Sequence, residues 1–401
     1  MATPAAPPSG PSQPLTVLVV GANGYLGSAV CRAFLRSAGP SPFFFRVFGL
    51  VRRESTALAL AADEIVPIVG SVDDPDALSR KVLSHSPTWD VIVVCTEPSK
   101  LDPASEDQHW RDILSLVETL AESSASASSS QQRPVRPMVL WSSGCKDYGF
   151  TALHGDADLQ PHTEESPLVP HPLVRGRMDG AMRALAASQN GGGFDVAVVR
   201  ATPVYGYSGS YMGATFDYVD AYVAALSDKD DKVLKIPSHE GTIMHGCHVD
   251  DCGDGYVALA KTALFGGKSP WTTSHWNGSG TVDRKAIAGQ QFNISSRRYE
   301  TLREIGTALA KEYGLSGGAV FGVSPQDLPG TLSNQDMALV FGYSQWVSSD
   351  KIRAVTGWSD NRPLFHENIG ALRCAYNAAK ERGSENIIKT RQRMGGNWGD
   401  S

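Results

Sequence analysis

Three glycines, Gly21, Gly24 and Gly27, interrupt an otherwise apolar run, VLVVGANGYLG (Val17–Gly27), at a spacing suited to holding a phosphate. Gly21 permits a tight bend, Gly24 lets the backbone approach a pyrophosphate, and Gly27 allows a helix to pack closely on the strand, so that the phosphates meet the helix N-terminus. A Val/Leu-rich run precedes the glycines and a helix-like stretch, Ser28–Arg36, follows, which favours a dinucleotide-binding turn over a plain one. Asn23, Tyr25 and Leu26 within the turn are then expected along the cofactor.

The end of the next apolar run, FGLVRRE, carries Arg52 and Arg53 and no acid ahead of them. A carboxylate at that point binds the ribose hydroxyls of NAD, whereas guanidinium groups suit the additional phosphate of NADP, so the pair predicts NADP(H). Ser71 and Val72, Thr96 and Glu97, Ser142, and Thr202, Pro203 and Val204 follow or end later apolar runs and are expected along the same cofactor. The cluster His245, Cys247, His248, Asp250 and Cys252 contains metal-ligand types, but its spacing fits no zinc template and no metal is assigned.

These groups need a scaffold. Between Leu15 and about Pro203 the chain alternates apolar runs with helix-like segments, the order of a parallel sheet covered on both faces. Strands are predicted at Thr16–Val20, Arg46–Val51, Glu64–Val69, Asp90–Cys95, Pro137–Ser142 and Phe194–Arg200. The expected architecture is therefore α/β, a Rossmann doubly wound parallel sheet over 15–204 with a smaller C-terminal substrate-binding lobe over 205–401 that returns some segments to the first domain. Helices are predicted near Asp217–Leu226, Gly253–Leu264, Thr301–Tyr313 and Leu364–Arg382, and a long loop near Ser269–Gly280 carries Trp271, His275 and Trp276. Residues 1–14 read as a disordered tail and 121–137, rich in Ser, Ala and Gln, as a flexible insertion.

The 401 residues are 41% hydrophobic with a net charge of −6, which gives no electrostatic footprint for nucleic acid or a membrane surface. No apolar run approaches the roughly eighteen residues of a membrane span, and the N-terminus lacks a signal-peptide pattern. Six scattered cysteines suit reduced thiols and a cytoplasmic protein.

In addition to GANGYLG, the chain carries GSVDDPDAL (Gly70–Leu78), WSSGCKDYG (Trp141–Gly149), RATPVYG (Arg200–Gly206), HVDD (His248–Asp251), FNIS (Phe292–Ser295) and SSDKIRAVTGW (Ser348–Trp358). In this order these segments resemble the landmarks of the extended short-chain dehydrogenase/reductases, the NAD-dependent epimerase/dehydratase-like proteins. That family places a tyrosine four residues before a lysine, the phenol exchanging a proton with substrate. Registered on ESPLVPHPL (Glu165–Leu173), the tyrosine slot falls on Val174, the lysine slot on Met178 and the serine slot on Gly144, one residue after Ser143. The usual dyad is thus absent by this register. SGCKDY (Ser143–Tyr148) is also similar to a segment of the progesterone 5β-reductase and iridoid synthase group, enone reductases whose functional lysine would correspond to Lys146.

The resemblance implies an NADP(H)-dependent oxidoreductase that reduces a carbonyl or conjugated enone in a small, fairly apolar molecule, with Lys146, Ser143 and Tyr148 as catalytic candidates. A non-redox isomerase, cyclase or dehydratase on the same fold, or an NADP(H)-sensing binding protein, are the other readings. Tyr205, Tyr207 and Tyr211 are candidates for a replacement phenol or an aromatic substrate wall. His154, His162, Arg175 and Arg177 flank the same region, and Cys145 reads as a small buried thiol. Pairing into a homodimer through His109–Leu120 and Val174–Ala187 is expected by analogy.

Overall fold

The structure is a computed structural model that describes residues 13–37, 43–98, 102–128, 135–207, 211–227, 232–266, 284–328 and 341–393. The Ser269–Gly280 loop, residues 1–12 of the tail and 129–134 of the insertion lie outside them. In the first half, β1 (Gln13–Val20), α1 (Tyr25–Arg36), β2 (Phe43–Val51), α2 (Glu54–Ala62), β3 (Val66–Val69) and α3 (Pro75–His85) alternate strictly. They continue into β4 (Val91–Val94), α4 (Pro103–Ser128), β5 (Met138–Gly144), α5 (Arg175–Gln189) and β6 (Asp195–Ala201). All six predicted strands are present at nearly the predicted bounds, because each is an apolar run, and β1, β4, β5 and β6 are buried on both faces, the pattern of interior parallel strands.

The second half contributes short strands β7 (Val204–Tyr205), β8 (Leu234–Ile236), β9 (Ile243–Met244), β10 (Cys247–His248), β11 (Gln291–Ile294), β12 (Glu300–Thr301) and β13 (Ala319–Phe321). Its helices include α6 (Ala214–Ala224), α7 (Val249–Phe265) and α8 (Leu302–Glu312), followed by helices at Asp350–Thr356, Ile369–Glu381 and Glu385–Arg393. Strand β11 is a seventh member of the main sheet, which runs β11-β6-β5-β4-β1-β2-β3 and is parallel throughout. The landmark FNIS is thus a sheet strand, and the chain re-enters the first unit almost 90 residues after leaving it.

Alternation across the pleat divides the core. One face of β1 presents Val17 and Val19 to a cluster with α1 and α7, and the other presents Leu18 and Val20 to a cluster with Trp89, Trp110, Leu116 and Ala184 from the opposite layer. A separate cluster built on Phe216, Tyr218, Leu302, Leu309, Phe365 and Tyr376 forms the core of the C-terminal region. No helix among the described residues is long and apolar enough to cross a membrane.

The insertion differs from its expectation. Residues 121–128 are helical and extend α4, with Ala121 and Ser124 buried. Ser124 Oγ accepts the backbone N–H of Trp89 at 3.1 Å and donates to Leu120 O at 2.7 Å. Low apolar content misleads here, because Ala is the strongest helix former and a small hydroxyl can pack against a loop and satisfy it. Ser124→Ala leaves the buried Trp89 N–H without a partner, and urea unfolding is expected to show a loss of about 1–3 kcal/mol.

Candidate active site

The glycine turn occupies the C-terminal end of β1, where the sheet order reverses between β2 and β4. Gly21 has φ +84°, a left-handed conformation, and a Cβ there would lie 2.7 Å from Cys95 O. A Cβ on Gly27 would lie 2.2 Å from Gly21 O, so the helix rests directly on the turn. Gly24 is the N-cap of α1 and has no side chain to satisfy the first-turn N–H groups. These are the features of an anion-binding helix start at a topological switch point, and they fit the pyrophosphate of a dinucleotide. Tyr25 donates its hydroxyl to Gly206 O, tying the turn to the segment after β7.

The remaining nucleotide-binding candidates lie along the same edge, since the strands are parallel. Thr96 abuts Gly21 at the end of β4, Glu97 is exposed, and Ser71 donates to Asp73 Oδ2 at 2.9 Å. Asp74 caps α3 by accepting the Ala77 N–H at 3.1 Å. Val72 is half-buried, and so are Asn23 and Leu26 beside the turn. Ser142 Oγ accepts the Tyr256 hydroxyl at 2.8 Å, and Thr202 donates to Ile294 O at 3.2 Å. Val204 pairs with Cys247. The two arginines diverge: Arg53 forms an ion pair with Glu385 at 2.6 Å, while Arg52 is exposed and lies near His109, whose pKa is lowered by burial and secondarily by this guanidinium. Of the two, only Arg53 is engaged by a carboxylate among the described residues.

At the end of β5 the chain makes a 3-10 turn, Cys145–Tyr148, closed by Gly149 at φ +88°. Three of its four side chains are anchored inward. Cys145 donates its thiol to Arg200 O at 3.2 Å, and burial pushes its pKa up. Asp147, 0% exposed, accepts from Arg200 Nε at 2.9 Å, from the Ser143 hydroxyl at 2.5 Å and from Arg177 at 3.4 Å. Tyr148 donates to Asn293 Oδ1 at 2.8 Å beneath an Arg200 guanidinium 5.3 Å from its ring. Ser143 and Tyr148, both expected to act on substrate, therefore direct their hydroxyl protons into the interior.

Lys146 is the exception. Its Nζ lies 4.9 Å from the centre of the Tyr211 ring and 4.6 Å from that of Tyr343, in a cleft. Pro203, Met212 and Met244 line the cleft with it. Burial, and secondarily the Arg177 charge, push the ammonium down to about 8. His245 also lines the cleft, but its Nε2 meets Ser296 O at 2.8 Å, its Nδ1 accepts from Val347 N at 3.2 Å, and burial lowers it to about 4. It is a neutral wall. Among the three tyrosines after β6, Tyr205 donates to Pro363 O, Tyr207 to Asp250, and Tyr211 faces the cleft.

The side chain brought over the end of β5 is Arg177, since a Cβ on Gly144 would lie 2.6 Å from its Nη2. Arg177 is one residue before Met178, where the linear register puts the lysine slot. Helix α5 buries Gly180, Ala181 and Ala184 toward the sheet, and Arg177 continues that face. Four residues earlier stands Leu173, 62% exposed, and no tyrosine or lysine occurs between residues 149 and 204. His154 meets the Tyr299 hydroxyl at 2.9 Å and His162 stacks on Tyr148, both outside the cleft, while Arg175 is exposed. His248 caps α7 by accepting the Asp250 N–H. Gln345, buried against the turn, had no sequence signal; its part in the cleft arises from a loop crossing almost 200 residues away in sequence.

A doubly wound parallel sheet with a glycine-rich turn at its switch point and a cleft beyond the ends of β5 and β6 is the architecture of the extended short-chain dehydrogenase/reductases. Residues 17–269 match the NAD dependent epimerase/dehydratase family, and the chain belongs to it. Among solved structures it is similar to dTDP-glucose 4,6-dehydratase from Bacillus anthracis str. Ames in complex with NAD, at 15% identity over 92% of this chain and 98% of that one, with a TM-score of 0.60. It is likewise similar to the UDP-Glc/GlcNAc 4-epimerase of Campylobacter jejuni, at 18% identity over 91% and 99% with a TM-score of 0.59. The RMD protein of Pseudomonas aeruginosa complexed with NADPH matches at 15% identity over 91% and 99%, TM-score 0.59. No curated protein matches the sequence.

Asp147→Asn removes the charge opposite buried Arg200, and urea unfolding is expected to show a loss of about 3–5 kcal/mol. Combining it with Arg200→Met should recover part of that loss, since an apolar pair leaves no charge uncompensated.

Proposed function

We propose that this protein is an NADP(H)-dependent reductase of a carbonyl or conjugated enone in a small, fairly apolar molecule, with Lys146 as the group that receives the developing oxyanion. The observation that carries the reading is the placement of Lys146: a cation with a depressed pKa, walled by two aromatic rings, in a cleft over the sheet edge that also holds the glycine turn. With β4 alone between β1 and β5, turn and cleft are two strand spacings apart, roughly 10 Å. A nicotinamide nucleotide, when bound, supplies the hydride. The residues of the chain do the rest: Lys146 places a positive charge, and a proton to give, beside the substrate oxygen, while Met212, Met244 and Tyr343 exclude water from it.

An ammonium near 8 is a stronger acid than an ordinary lysine, which suits proton donation near neutral pH. Tyr148 and Ser143 act in this reading as positioning residues, holding the turn rather than the substrate. Similarity of SGCKDY to the enone-reductase segment agrees with a lysine-centred site. NADPH is favoured because Arg52 presents an exposed guanidinium after β2, and the exposed Arg53–Glu385 pair is worth at most about 1 kcal/mol, which a phosphate can outcompete.

Turnover of an accepted enone with NADPH is expected to fall roughly a hundredfold or more in Lys146→Ala with nucleotide affinity nearly unchanged. In the native protein the rate should decline as pH rises through about 8, where the ammonium loses its proton. Unchanged turnover in the variant removes the lysine from the chemistry, and product formed without NADPH consumption points instead to an isomerase, cyclase or dehydratase. Titration with NADPH and NADH tests the second half: tighter NADPH binding is expected, with the preference lost in Arg52→Ala. Equal binding of both by the native protein overturns the assignment.

A further inference from the structure

Gln345 crosses the mouth of the 3-10 turn on the segment that follows residue 341, and its backbone N–H donates to Ile243 O at 3.1 Å. Its side chain is 4% exposed. The amide nitrogen donates twice, to Cys145 O at 2.6 Å and to Gly149 O at 2.7 Å, so it spans both ends of the turn that carries Lys146. Those two carbonyls fix the orientation of the amide, because a carboxamide oxygen facing either of them would be repelled. The other terminal atom is therefore the acceptor, and Oε1 is buried without a hydrogen-bond partner. Gln345 and Lys146 line the same cleft.

A buried acceptor left unsatisfied is costly, and a site that holds one discriminates strongly in favour of a ligand that donates to it. Of the other lining side chains, Met212, Ile243, Met244 and Pro203 have no polar hydrogen, His245 is engaged at both ring nitrogens, and the Tyr343 hydroxyl donates to Lys146 O at 3.5 Å. The cleft thus combines a cationic donor, Lys146, with a neutral acceptor, Gln345, on a lining that is otherwise aliphatic and aromatic.

We infer that Gln345 Oε1 selects the substrate, and that the substrate is a carbonyl compound carrying its own hydroxyl or N–H donor, the carbonyl oxygen at Lys146 and the donor at Gln345. This rests on the reductase reading for the role of the carbonyl, but the preference for a donor is a property of binding and can be measured without turnover. It further implies that the class of reaction supplying the substrate leaves a free hydroxyl or amine on the carbonyl skeleton.

The test uses the full chain loaded with NADP+ and three isomeric probes, 2-, 3- and 4-hydroxycyclohexanone, against their methyl ethers and cyclohexanone, with affinity read by calorimetry or ligand-observed NMR. At least one hydroxy ketone is expected to bind tenfold or more tightly than its methyl ether, which keeps the acceptor and loses the donor. In Gln345→Met the difference should shrink to within about threefold. If no isomer outbinds its ether in the native protein, the inference is overturned, and this comparison holds even where Gln345→Met fails to fold. A tenfold preference that survives in a folded Gln345→Met variant also overturns it, by placing the acceptor elsewhere. Retained donor preference without any NADPH-dependent reduction of the matching hydroxy-enones defeats the reductase reading alone.

Discussion

One buried ion pair, Asp147 with Arg200, decides where Lys146 points. Both side chains are fully enclosed, and Arg200 is further held by Gln291 at 2.6 Å and by the Tyr148 ring. Removing two charges from water is costly, and the geometry offsets that cost with a near-complete set of partners: Asp147 takes donors from Ser143, Arg177 and Arg200. The pair joins β5 to β6, while Tyr148 and Asn293 join the same turn to β11. With Cys145, Asp147 and Tyr148 anchored inward, the one remaining side chain of the four-residue turn must face the cleft.

The same sheet edge imposes the arrangement of the nucleotide site. In a parallel sheet every strand ends on the same side, so the glycine turn after β1, the arginines after β2 and the lysine turn after β5 are gathered without any contact between them in sequence. The Tyr25 hydroxyl then links the turn to Gly206, and the next residue, Tyr207, sits at φ +51° with its own hydroxyl on Asp250 at 2.6 Å. A left-handed non-glycine residue is strained, and here the Asp250 bond and the Arg32 guanidinium over the Tyr207 ring hold it. These contacts hold the segment after β7 against α1 and α7.

The C-terminal region is built on its own apolar cluster and stapled by charge. Buried Asp217 on α6 accepts two bonds from Arg391 and one from the Tyr376 hydroxyl, which fastens the last two described helices to the lobe. Helix α8 begins with a capping box, Thr301 and Glu304 satisfying each other's backbone. Rigid anchoring of this kind lets the loops that carry Tyr343 and Gln345 be set against the Lys146 turn, so that the cleft is shaped by both halves of the chain.

Sequence alone determined six of the seven strands of the sheet, because apolar runs alternating with helix-like segments admit little else, and it located the glycine turn, because Gly21, Gly24 and Gly27 stand between an apolar strand and a helix. It singled out Lys146 by similarity. What it could not determine were side-chain directions and long-range neighbours. Ser143 and Tyr148 looked equivalent to Lys146 until the buried Asp147 and Asn293 drew their hydroxyls inward. The face of α5 toward the sheet selected Arg177 where the linear register pointed to Met178, since a one-residue step turns a helix by about 100°. Strand β11 escaped notice because QFNI sets two amide side chains among two apolar ones, and only pairing with β6 makes it a strand. Gln345 had no local signature at all: an acceptor becomes conspicuous only when the fold buries it and leaves it unpaired, and that is a property of tertiary structure rather than of sequence.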